Sequence, residues 1–138
     1  MKNMKNMRTI IIISIIYFIN CSFIGRNLPP PLDNHQDIIG KWQSDETSGW
    51  VLEFKADGKC EESLNGKILK VYFYSFGKTS PQCGHIVPVG ELFEYLNLVN
   101  VNNSEDKFCY EFLGVDNDNF AMIYIGGASN NPMGFIKL

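Results

Sequence analysis

Several things are scarce in this sequence of 138 residues, and each scarcity excludes a class. Four cysteines are too few for a disulfide-dense scaffold. Basic residues number 12 against 15 acidic ones, giving a net charge of −3 and a pI near 5.3. Without a basic stripe, a nucleic-acid partner is not expected. Only two histidines are present, His35 and His85, and they form no two-histidine metal motif. Cys83-Gly84-His85 offers two ligands where a zinc site needs three or four. Asp116-Asn117-Asp118-Asn119 lacks the glycine and distal glutamate of a calcium loop. Phosphate-binding, dinucleotide and nucleophile-elbow fingerprints are missing, so neither enzyme nor cofactor is expected. Glu61 and Glu62 are strand neighbours whose side chains leave on opposite faces, so they form no carboxylate pair.

Long apolar runs are missing too. Lys2, Lys5 and Arg8 precede an apolar run at residues 10–19, broken only by Ser14. Basic start and apolar run have the layout of an export signal, and about ten residues fall short of the ~20 a spanning helix needs. A signal anchor requires extending the segment through Cys21 to Ile24, across polar Asn20. Cys21 follows the run after the single residue Asn20. This resembles the lipobox of bacterial lipoproteins, in which that cysteine is acylated, although Asn20 and Phe18 depart from its usual residues. The alternative is an ordinary cleaved signal. Lipidation implies a lipid-anchored place in a bacterial cell envelope, periplasmic or surface-facing. Residues 21–35, with Pro29-Pro30-Pro31, read as a semi-rigid tether. Removing residues 1–20 leaves nine basic and 15 acidic residues, a net charge of −6.

Beyond Ile38 no helical period is sustained. What recurs is a short strand followed by a turn signal, here over residues 40–44, 50–55, 60–64, 67–76, 91–101, 107–113, 120–125 and 133–138. Asp57-Gly58 and Asn65-Gly66 are hairpin dipeptides. Eight strands linked almost entirely by hairpins predict an all-β, eight-stranded antiparallel up-and-down barrel over residues 36–138. A β-sandwich is the structural alternative.

At the first of these strands a family resemblance enters. Gly40-Lys41-Trp42, after a possible helical turn at 34–39 and ahead of the eight-strand meander, resembles the Gly-x-Trp signature of lipocalins. The pattern Trp50-Val51-Leu52-Glu53-Phe54-Lys55-Ala56-Asp57-Gly58 resembles the second strand and turn of small bacterial lipocalin-like lipoproteins. The resemblance covers residues 36–138. It implies that Lys137 lies over Trp42, a role the family usually gives to arginine. It also implies an open mouth at the end holding the 45–49, 65–66, 102–106 and 126–132 loops. The chain departs from the family in its short domain, in having no helix after the barrel, and in placing its longest loop between strands four and five.

Counting ends then sets Cys60 and Cys83 together at the closed end, and Cys109 near the mouth. A Cys60–Cys83 disulfide is therefore expected, against three reduced thiols. The aromatic residues either line a cavity or simply fill a small barrel. If they line one, Trp50, Phe54, Tyr72, Tyr110 and Phe112 are the expected ligand contacts. The functional expectation is a monomeric, membrane-tethered, non-catalytic binding protein for a small apolar or amphipathic molecule. The alternative is a protein-binding barrel, such as an envelope enzyme inhibitor, acting through the 77–90 loop.

Overall fold

The computed structural model describes residues 35–138. The expected export signal, Cys21 and all of the expected tether but His35 lie outside these residues. A 3₁₀ turn, Gln36–Ile38, precedes eight strands. They are β1 (Gly40–Ser44), β2 (Trp50–Phe54), β3 (Lys59–Leu64), β4 (Lys67–Gly77), β5 (Tyr95–Asn100), β6 (Asn103–Val115), β7 (Asn119–Tyr124) and β8 (Met133–Lys137). Each pairs antiparallel with the next, and β8 closes on β1, giving an up-and-down barrel. Closure leaves no strand edge open to another chain.

Period-two alternation decides what points inward. Leu52 and Phe54 from β2, Leu96 and Leu98 from β5, and Tyr110 and Phe112 from β6 are all buried. Asn65-Gly66 is a two-residue turn, with φ of 51° and 78° at its two residues. Positive φ at both central positions matches the strand twist, and Asn-Gly is the pair that tolerates it at least cost. Register slips at Glu62/Ser63, opposite Lys70 and Ile68, so Leu69 is an extra residue on β4.

The closed end is packed solid. Ile38 and Trp42 are fully buried, and the Trp42 indole N–H donates to the Ile38 carbonyl at 2.6 Å. The 3₁₀ turn thus satisfies the buried indole while plugging the barrel. Phe120 is the centre of the aromatic floor: it stacks on Phe135 with centroids 4.5 Å apart and meets Trp42 and Phe54 edge-on at 5.2 and 5.9 Å. Lys137 pairs with Trp42 across the β1–β8 seam and holds its Nζ 5.1 Å from the indole centroid. Beside the floor, His35 stacks on Phe76 and lies 3.1 Å from a Glu94 carboxylate oxygen.

The disulfide differs from the expected one. Cys83 bonds Cys109, with Cα atoms 5.8 Å apart, and Cys60 is a free, buried thiol. The hairpins share ends as counted, but the 78–94 segment does not stay at its end. It folds back along the outer wall over β5 and β6, reaching far enough for His85 to pack against Gly126 in the β7–β8 loop. Cys109 faces outward from the middle of β6, because that strand begins at Asn103 and not at Lys107. Cys60 faces inward in phase with Phe54, its register partner, so the barrel wall separates it from Cys83. Burial first, then the carboxylates of Glu62, Glu61 and Glu53, pushes the Cys60 thiol well above its ordinary range, which keeps it unreactive.

Tyr95 is a second consequence of that path. It sits on the outward face of β5 yet is completely buried, because the loop covers it and the Pro88 carbonyl accepts its hydroxyl hydrogen bond. Gln82, also buried, donates to the Thr79 carbonyl within the loop itself.

Candidate functional site

The barrel interior opens at the end that carries the 45–49 and 65–66 turns. Five strands, β2 to β6, build a cavity of about 230 Å³ there, lined by Trp50, Leu52, Glu62, Leu69, Lys70, Tyr72, Leu98, Phe108 and Tyr110. Alternation on β3 sends Glu62 inward two residues after Cys60, and β4 answers with Lys70 and Tyr72 in register opposite them. The slip at Leu69 brings that side chain to the rim, where it is 51% exposed beside Ile68 at 55%.

Glu62 organises the polar part. One carboxylate oxygen accepts from the Trp50 indole N–H at 3.1 Å, and the other from the Tyr72 hydroxyl at 2.7 Å. Both donors are neutral. Lys70, the cross-strand partner of Glu62, turns instead to Asp106 at 2.8 Å and lies over the Phe108 ring, 5.4 Å from its centroid. Asp106 also accepts from the Asn100 amide at 2.9 Å. The Lys70 ammonium and then that amide hold its carboxyl below the usual carboxylate range. Burial, reinforced by the Glu62 carboxylate, pushes the Tyr72 hydroxyl up, and burial with the Glu62 charge does the same to Tyr110. Both tyrosines therefore remain neutral hydroxyls at physiological pH.

Of the five residues expected to contact a ligand, Trp50, Tyr72 and Tyr110 come together in this cavity. Phe54 and Phe112 do not: they belong to the packed floor, against Tyr74 and Phe76 respectively. Glu62 and Lys70 were missed. A glutamate two residues from an inward cysteine shares its face, and that phase was available in the sequence. Phe108 was missed because β6 was expected to start only one residue before it.

A second hollow of about 530 Å³ lies outside the barrel, where Gly114, Ala121 and Gly134 leave a shallow groove across β6, β7 and β8. It is open to solvent and built around the missing side chains of three small residues. Among the described residues, no group of three or more His, Cys, Asp or Glu side chains is placed to hold a metal ion. No buried side-chain polar atom among them lacks a hydrogen-bond partner. No protein-family model, curated protein or solved structure matches this chain.

Proposed function

We propose that the domain is a non-catalytic binding module of lipocalin-like type, exported and held at a bacterial envelope through Cys21. It takes up a small apolar or amphipathic molecule at the barrel mouth. One observation carries this reading: the interior is packed solid at one end and hollow at the other, and the hollow is where aromatic walls surround a carboxylate. Pockets of this composition, apolar with a few placed polar groups, are the usual form of a small-molecule site. A volume of about 230 Å³ lies below the ~300 Å³ at which pockets for drug-sized ligands begin, so the ligand is compact. Titration with Nile red tests the reading. Saturable 1:1 binding that is lost in Trp50→Ala supports it, and the absence of any saturable binding sinks it. Intact mass of the exported protein reads the Cys21 acylation directly.

A second reading rests on the 78–94 segment. Ile86 and Leu92 are each 94% exposed on a loop that the Cys83–Cys109 bond fixes to the wall. A preorganised loop presenting apolar side chains suits capture of a protein partner, because little entropy is left to lose on binding. Ile86→Asp with Leu92→Asp would abolish capture of an envelope enzyme if the loop is the contact. Undiminished capture excludes it.

A further inference from the structure

The mouth cavity is uneven in charge. Glu62 has both oxygens engaged, but only by neutral donors, so its charge is oriented and not balanced. A carboxylate offers about four lone-pair sites, and two remain. Among the described residues no lysine or histidine lies within ion-pair distance of Glu62, and the one ammonium in the lining, Lys70, is committed to Asp106 at 2.8 Å. The cavity therefore carries one negative charge beyond its internal pair.

Around that charge stand aromatic side chains, from Trp50, Tyr72, Phe108 and Tyr110. Ring faces carry a negative quadrupole and attract cations, by about 0.5–2 kcal/mol per ring depending on desolvation. The site already uses this physics, since Lys70 holds its ammonium 5.4 Å from the Phe108 centroid. An anion entering the same space would face Glu62 with no free positive group, unless the Lys70–Asp106 pair came apart.

We propose that the mouth cavity selects small organic cations: an ammonium or quaternary ammonium group on a compact apolar body, set against Glu62 and the aromatic walls. The inference rests on the reading of the barrel as a small-molecule binder. The cation sits where Trp50 and Tyr72 already fix the carboxylate, so its binding needs no rotation of Glu62. Lys70 and Asp106 are a charge-balanced pair beside the site, so Glu62 remains its uncompensated charge.

Calorimetry on the full-length protein in detergent tests this with three compounds of nearly one shape. They are choline, its neutral carbon isostere, in which a carbon replaces the quaternary nitrogen, and tert-butylacetate. Choline is expected to bind at least about tenfold more tightly than the isostere, with the carboxylate weakest. In Glu62→Gln that preference should fall to within about threefold. Equal binding of choline and isostere overturns the proposal, as does preference for the carboxylate or a choline preference that survives Glu62→Gln. The wild-type ranking decides the matter even if the variant folds poorly. If the isostere or Nile red binds and choline does not, cation selection fails while the binding reading stands. If nothing binds, both fail.

Discussion

Two tryptophans sit in one barrel under opposite conditions. Trp42, at the floor, is fully buried, gives its N–H to a backbone carbonyl and is covered by Lys137. Trp50, at the mouth, is half-buried, gives its N–H to a carboxylate and borders a cavity. The first arrangement spends every contact on holding the fold closed. The second leaves space and an oriented charge, neither of which packing requires. Stability and binding are thus divided along the barrel axis, and the residue type alone does not say which end it serves.

The division can be broken most severely at the floor. Trp42→Ala should cost about 3–5 kcal/mol, the range for deleting a buried aromatic core residue. Trp50→Ala should cost under about 1.5 kcal/mol yet abolish Nile red binding. Urea denaturation measures both, and equal losses would mean that the mouth is core after all.

Removing the outer staple comes next. The Cys83Ser/Cys109Ser double variant frees a closed loop with a sequence separation of 26 and should lose about 2–4 kcal/mol, with a barrel circular-dichroism spectrum retained. Limited proteolysis should then cut within residues 78–94. Cys60→Ser changes no covalent link, so a thiol count showing loss of the disulfide in that variant would contradict the pairing.

Alkaline pH probes the mouth hydroxyls. Tyr72 and Tyr110 keep their protons in the folded state to higher pH than the ordinary value of 10.0, whereas the unfolded chain ionises at that value. The unfolded state then binds fewer protons, so the stabilising contribution is complete below pH 10.0 and is lost as pH rises beyond it. One tyrosine contributes at most about 1.4 kcal/mol per pH unit to that slope. Tyr72→Phe should flatten the fall in denaturation midpoint, and an unchanged slope would remove Tyr72 from the account. The smallest stability effect belongs to Glu62→Gln, within about 1 kcal/mol because the amide oxygen can still accept one of the two hydrogen bonds. A larger loss would show that Glu62 serves the fold and not the cavity.

The barrel was legible because its signals are local. Asp57-Gly58 and Asn65-Gly66 mark hairpins, and Trp50, Leu52 and Phe54 alternate with Val51, Glu53 and Lys55, so strand order and inward faces follow from period two. The start of β6 was less legible. Asn100 and Asn103 turn their side-chain oxygens to the N–H groups of Asn102 and Glu105, tightening the turn and lengthening the strand by four residues. Nothing local announced that residues 78–94 would lie on the outer wall. That path depends on Cys83 meeting an outward Cys109, although outward phase for Cys109 was already implied by Phe108, Tyr110 and Phe112 facing the other way. The depth of the cavity was not legible at all, since it depends on how far the floor aromatics pack upward.

The seam between β1 and β8, pinned where Trp42 meets Lys137, joins the beginning of the domain to its last strand. Contacts so distant along the chain are costly to form and arrive late. A chain halted before Met133 would carry every other hairpin and still display the unpaired backbones of β1 and β7 as two raw edges, each a template for a stranger. Completion of this molecule is therefore all or nothing in time as well as in space: until its final strand is delivered, the nearly finished barrel is at its most adhesive.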